Sequence, residues 1–334
     1  MSDFKADVRC VASVKHHPNA DKLDIITITG LDGIQVIVGR DEFVFGERII
    51  YIPEDAIIPD DLKNKLGLEK NRIKVVKLRG EISNGVVLKT DEPIDKDMTE
   101  ELGIVKYDPE PIHDNSGNMY PLPKGVEKYD IQSINRYADV LDHLIKNKTP
   151  VIVTEKLEGT NMAIVAEEEI KVCTRRHEKE DGPNFYWETA RKHSWLVIAK
   201  KIRELLKADQ VVLRGELIGP KIEKNHYHLN ERELRLFDIK VDGTYLNDNR
   251  FYNVLYGTCQ RLQLTLCNRT VPVIGVNAKK FREVKAADGI SFLADVLREG
   301  IVIKPTIEMT HPKIGRLILK RRGLKYLERK NAKV

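Results

Sequence analysis

Lys156 closes an apolar run, Val-Ile-Val-Thr-Glu-Lys at 151–156, with Gly159 three residues on and Asn161 two beyond that. A protonated lysine is a poor nucleophile; it becomes useful where burial or neighbouring cations lower its pKa. The end of an apolar strand offers partial desolvation, and a glycine nearby lets the backbone turn tightly or approach a ligand with no Cβ in the way. Alone, K-x-x-G recurs by chance, and a strand with a solvated turn accounts for it. Its companions change the balance. Arg214-Gly215-Glu216 follows β-type residues, Phe237 lies inside a strand-like run, Glu299-Gly300 leads into Ile-Val-Ile-Lys304, and Lys320-Arg321-Arg322 ends another apolar stretch. Together they supply a nucleophile, carboxylates for a divalent cation or a ribose, an aromatic face for a base, and cations for phosphates.

The elements that must position these residues come in two sets. The first hundred residues read as five short strands rich in valine and isoleucine, at 8–17, 23–30, 34–40, 48–55 and 85–89. Asp32-Gly33 between the second and third is a hairpin signal. Five such strands fit a small closed or partly open barrel of the OB type. Between the fourth and fifth, residues 63–80 carry Lys63, Lys65, Lys70, Arg72, Lys74, Lys77 and Arg79 against the single acid Glu69, a candidate contact strip for a polyanion. Residues 108–127, crowded with Pro, Gly, Asn and Asp, predict a linker between a first domain at 1–107 and a second at 128–334. The second reads as α+β. A short helix from Ser133 to Ile145 is followed by strands near 150–156, 161–166, 170–174, 210–218, 234–241, 300–304 and 316–320, with a long helix near 186–207. His226-Tyr227-His228 has metal-like spacing but no acidic or cysteine partner in the sequence, and reads as a polar loop. The basic tail at 320–334 reads as a solubilising end.

Composition sets the outer limits. The chain has 334 residues, 41% hydrophobic and 32% charged, with a net charge of +5, as expected of a globular protein with a real core. No apolar run reaches the ~18–20 residues of a membrane span. The opening Met-Ser-Asp-Phe-Lys lacks the plan of a secretory signal. An intracellular protein, cytoplasmic or nuclear, is the expectation. Four scattered cysteines, Cys10, Cys173, Cys259 and Cys267, form no C-x-x-C pair, so neither a disulfide framework nor a zinc site is indicated.

The motifs carry a further signal. K-L-E-G-T-N (156–161), R-G-E (214–216), L-F-D-I (236–239), E-G-I-V-I-K (299–304) and L-K-R-R (319–322) resemble motifs I, III, IIIa, IV and V of the covalent nucleotidyltransferases, in order and spread over 150–325. Only twelve residues follow Arg322, too few for the C-terminal OB domain of DNA ligases and capping enzymes. Asn161 and the Lys320-x-Arg322 pattern resemble RNA ligases. At the front, His-Pro-Asn-Ala-Asp-Lys-Leu (17–23) resembles OB modules that bind tRNA. The stretches 46–59, 77–89, 127–137 and 184–192 are similar to the fifth RNA ligase family, which has an N-terminal OB domain.

That resemblance implies an antiparallel-sheet adenylyltransferase domain of the ATP-grasp-like ligase type. It implies ATP and a divalent cation, Mn2+ or Mg2+, as cofactors, and RNA with 3′-OH and 5′-phosphate ends, nicked or paired, as partner to a monomeric enzyme. Lys156 would take AMP from ATP as a lysyl–AMP phosphoramidate. Glu155 would meet the adenine edge, Phe237 would stack on the purine and Glu216 would hold the ribose hydroxyls. Glu299, with Glu216, would organise the metal. Lys320 and Arg322 would neutralise the α-phosphate, with Lys304 nearby. One of Arg175 and Arg176 would contact the nucleotide, and Arg136 the outer phosphates. Gly159 and Asn161 belong to the same nucleotide loop. Arg322 departs from the K-x-K form; it can clamp phosphate but cannot give up a proton. Two other readings are a guanylyltransferase using GTP and an inactive RNA- or tRNA-binding protein.

Overall fold

The computed structural model describes residues 4–107, 117–265 and 267–331. These fall into two compact units. One comprises 4–107, 132–143 and 324–331; the other comprises 117–131, 144–265 and 267–323. Residues 108–116 of the expected linker lie outside the described residues.

The first unit is built on a curled antiparallel sheet of Asp7–His16, Leu23–Ile28, Gln35–Gly39, Arg48–Ile52 and Val86–Lys89, in the spatial order third, second, first, fourth, fifth. This is the OB-type half-barrel that the five-strand reading predicts. Alternation along the strands fills its interior with Val11, Ile26, Val36, Ile49, Tyr51 and Val87. A hairpin, Val76–Leu78 with Glu81–Ser83, lies along the edge strand. There Asn84 donates its N–H to the carbonyl of Gln35 at 2.8 Å, and the Ile37 N–H donates to Ser83 Oγ at 3.0 Å. Asp32-Gly33 does turn, Gly33 having φ +66°, but within a longer connection, since pairing stops at Thr27 and Gln35. The last helix, Leu324–Asn331, also belongs to this unit. Its Tyr326 and Leu327 pack with Val75 and Ile82, so the tail is more than a solubilising end.

The second unit contains two antiparallel sheets. The larger runs Met119–Pro121, His177–Lys179, Ile170–Cys173, Thr160–Ala166, Val211–Ile218, Glu233–Val241 and Thr244–Tyr245. The smaller places Leu319–Arg322, Gly300–Pro305, Val151–Lys156 and Val273–Gly275 side by side. Three helices, Phe185–Lys192, Trp195–Leu206 and Asp248–Arg261, cover one face of the larger sheet through Trp187, Trp195, Ile198, Ile202, Phe251 and Leu255. The single helix expected over 186–207 is broken in two at His193-Ser194. Ser194 adopts φ +60°, and the His193 ring bonds the Arg232 carbonyl at 2.8 Å, so the chain turns where the packing stripe alone suggested continuity. Among the described residues no helix is long and apolar enough to cross a membrane.

Candidate active site

The lysine is placed by register. Lys156 stands opposite Gly300, and Gly300 opposite Arg322; one row along, Thr154 faces Val302, and Val302 faces Lys320. Residues opposed across antiparallel strands share a face, so Lys156, Lys320 and Arg322 project to the same side. Gly300 leaves the space between Lys156 and Arg322 free of a side chain. The close fit also demands a glycine there, since a Cβ would lie 2.1 Å from the Arg321 carbonyl oxygen. Arg321 alternates to the opposite face, is 1% exposed and donates to the Arg282 carbonyl at 2.8 Å. The basic triplet was expected beyond an apolar strand at 316–320. It lies within the strand Leu319–Arg322, and this pleat separates Lys320 and Arg322 from Arg321.

Two carboxylates converge on the lysine. Glu299 Oε2 accepts from Lys156 Nζ at 2.6 Å, and the Glu299 carbonyl is tied to the Gly323 N–H at 2.9 Å. Glu216, opposite Asn161 on the neighbouring strand, is the second. Burial pushes its carboxyl up to about 8; Lys156 and Arg175 pull the other way, and the negative charge of Glu299 adds to the rise. Gly159 is required by proximity rather than by a left-handed turn: a Cβ would lie 2.5 Å from the Leu217 carbonyl oxygen and 2.9 Å from Glu216 Cγ.

Glu155 alternates away from Lys156 and is 1% exposed. Its Oε2 accepts the Phe292 N–H at 2.9 Å, while Oε1 is buried without a hydrogen-bond partner. A buried acceptor left unpaired costs free energy, so this atom is a ready acceptor for a ligand's N–H. Phe237 is half-buried beside Leu157, Ile218, Tyr227 and Val296, with the Tyr129 ring 5.0 Å away. Asn161 Oδ1 accepts from Arg214 at 2.8 Å, and Arg214 also donates to the Glu127 carbonyl. Arg175 is paired with Asp130; Arg176 follows it in the turn capped by Thr174.

Two expected residues make other contacts. Lys304 is buried and donates to Asp238 and to the Phe237 carbonyl, both at 2.9 Å. Arg136 belongs to the first unit, where it donates to Asp7 at 2.8 Å and to the Lys5 carbonyl at 3.0 Å. The structure also shows residues that the motif reading passed over. Asp238, next to Phe237, is 1% exposed. Burial works against its charge, but Lys304 and Arg316 outweigh that and hold its carboxyl well below the usual range. Glu158, inside the lysine loop, is held twice: its N–H donates to Tyr227 Oη at 2.7 Å, and its carboxylate meets His226 Nδ1 at 3.2 Å. His226 Nε2 bonds the Leu297 carbonyl at 2.7 Å, so the expected polar loop braces the lysine loop. Nothing in the spacing of His226-Tyr227-His228 points to a glutamate sixty-eight residues earlier.

Two carboxylates and two further cations thus gather around one lysine on antiparallel sheets. Comparison with known proteins agrees. The family described as RNA ligase matches residues 149–322, just over half the chain, and an OB-fold domain family matches 5–90. The chain belongs to the RNA ligase family. Its fold is similar to that of a Naegleria gruberi RNA ligase mutant in apo form, at 22% identity and TM-score 0.82 over 98% of this chain and 99% of that one. It is also similar to another mutant of that ligase solved with ATP and Mn, at 24% identity and TM-score 0.81 over 97% and 98%. Curated relatives include the phenylalanine–tRNA ligase beta subunits of Halalkalibacterium halodurans, 27% identical over 137 residues, and Oceanobacillus iheyensis, 30% identical over 83 residues. The chain spans only 14% and 9% of those subunits' lengths.

Proposed function

We propose that the protein is an ATP-dependent RNA ligase that joins a 3′-OH to a 5′-phosphate, on nicked or paired RNA, as an intracellular monomer. Its RNA-contacting OB domain is the unit built on 4–107, and its transferase domain is the unit that starts, among the described residues, at 117. The observation that carries the reading is Lys156, fixed by Glu299 at 2.6 Å and sharing a sheet face with Lys320 and Arg322.

The residues present fit ATP and a divalent cation. Glu155 Oε1, buried and unpaired, suits the adenine amino group, a donor where guanine has a carbonyl. Phe237 offers its ring to the purine. Glu216 and Glu299 form an oxygen-donor pair in which burial, with the charge of Glu299 adding to it, raises the Glu216 carboxyl to about 8. Among the described residues no group of three or more His, Cys, Asp or Glu could hold a metal by itself. This fits Mg2+ or Mn2+, which take one or two carboxylates and complete their shell with substrate phosphates and water. The Naegleria ligase solved with ATP and Mn supports the same pairing. When bound, the cation supplies positive charge to the transferring phosphate.

Lys156 Nζ attacks the α-phosphorus of ATP, forming an N–P bond as the P–O bond to pyrophosphate breaks. Lys320 and Arg322 face the developing charge. An oxygen of the RNA 5′-phosphate then attacks the same phosphorus and breaks the N–P bond, leaving an adenylylated 5′ end. The 3′-OH attacks that end and AMP departs. One of Arg175, paired with Asp130, and Arg176 beside it is assigned to the nucleotide. Lys304, bonded to Asp238 and to the Phe237 carbonyl, supports the base platform.

Incubation with α-labelled ATP and Mn2+ tests the proposal. The label should remain on the denatured protein, disappear in Lys156→Ala, and be absent when GTP replaces ATP. Wild-type protein that takes no label would refute the enzyme reading.

A further inference from the structure

Two sequence features of the first unit that were read separately, the His-Pro-Asn-Ala-Asp stretch and the basic run at 63–80, are joined in the structure. The connection after the first strand (17–22) and the tip of the 76–83 hairpin, which lies before the fifth strand, are hydrogen-bonded to each other. The buried His17 accepts the Asn19 N–H on Nδ1 at 3.1 Å, which leaves Nε2 as donor to the Leu78 carbonyl at 3.1 Å. Asn19 Nδ2 donates to the Arg79 carbonyl at 2.9 Å. The hairpin turns on Arg79-Gly80 with φ +48° and +98°, between the paired residues Leu78 and Glu81. A bulky side chain is uncommon in that conformation and is kept only where the surroundings enforce it. Here the enforcement is the His17–Asn19 clamp on the carbonyls of Leu78, just before the turn, and Arg79, within it.

The result is a fixed tip on which Val76, Lys77, Leu78 and Arg79 are all exposed. Arg79 makes no ion pair among the described residues, whereas Lys77 pairs with Glu328 at 3.3 Å. Of the nearby acids, Glu81 meets Gln35 at 3.4 Å, Asp24 is buried against His16 and Arg40, and Asp21 is exposed in the loop. OB folds take oligonucleotides through the loops after their first strand and before their fifth. Clamping the two together fixes the backbone that carries Arg79.

We infer that the clamped tip is an RNA-backbone contact of this protein, with Arg79 as the phosphate ligand and His17 and Asn19 as its positioning residues. The inference rests on the RNA ligase reading, and two readouts separate their failures. Affinity for a fluorescent 5′-phosphorylated RNA would be measured across a salt series, beside lysyl–AMP labelling from ATP. Arg79→Ala should weaken RNA binding about fivefold and flatten the salt slope by about one phosphate contact, with labelling unchanged. Arg79→Gly, which suits the turn's backbone, should behave alike, and Arg79→Lys should recover most of the affinity. Asn19→Ala should lose a smaller share. If Arg79→Ala and Arg79→Gly bind RNA with wild-type affinity and slope, the inference fails, and the tip is a structural turn or meets a protein instead. Absence of labelling in the wild type would overturn only the ligase reading.

Discussion

At Glu216, burial lifts the carboxyl to about 8 from an ordinary 4.5, although Lys156 and Arg175 act against the shift. Between those pH values the folded protein holds a proton that the unfolded chain has lost, so stability falls as pH rises through this window. Glu216→Gln removes the titration with little change of shape. Without divalent ions, the wild-type melting temperature should fall between about pH 5 and about pH 9, and that of Glu216→Gln should fall less. Mn2+ should raise the wild-type melting temperature most at the alkaline end, since binding competes with the proton. Parallel melting curves for the two proteins would show that Glu216 does not carry this charge. At the same scale, the proposed adenine preference rests on Glu155, whose buried Oε1 is an unpaired acceptor.

At the scale of elements, the site depends on three strands held in one register, Val151–Lys156, Gly300–Pro305 and Leu319–Arg322. Gly300 is the residue that lets them approach, with a backbone oxygen 2.1 Å from where a Cβ would stand. Backbone cannot rotate away as a side chain can. Gly300→Ala should therefore cost about 1–3 kcal/mol of stability. It should also depress lysyl–AMP formation by parting the lysine row from the arginine row. Chemical denaturation and ATP labelling of the same variant would measure both. A variant with wild-type stability and full labelling would mean that the strands adjust freely.

For the whole molecule, the informative segment is the last helix, Leu324–Asn331. It follows Arg322 closely in sequence yet belongs to the OB-type unit, where Tyr326 and Leu327 pack with Val75 and Ile82. Leu327 is 6% exposed, and Leu327→Ala should cost about 2–5 kcal/mol by leaving a cavity. The loss should appear in denaturant unfolding, with ATP labelling at room temperature close to wild type. Unchanged unfolding would show that the helix adds nothing to that unit.

Much of this is legible in the sequence. The valine- and isoleucine-rich runs mark the strands because alternating β-branched residues can bury only one face of a pleated sheet, and the OB-type set follows from their number. Lys156, Glu216 and Glu299 stand out because each brings a charge to a strand, whereas Phe237 is singled out only by the family motif that its surroundings resemble. Other features required the tertiary structure. Glu158 meets His226 and Tyr227, and His17 and Asn19 meet the tip at Arg79, each pair far apart along the chain and joined by single hydrogen bonds that leave no periodic trace. The break at Ser194, the placement of Lys304 against Asp238 and the return of the last helix have the same origin. Strand identity is written in local hydrophobic pattern; which polar groups face each other depends on register and chain reversal, which only the packed molecule decides.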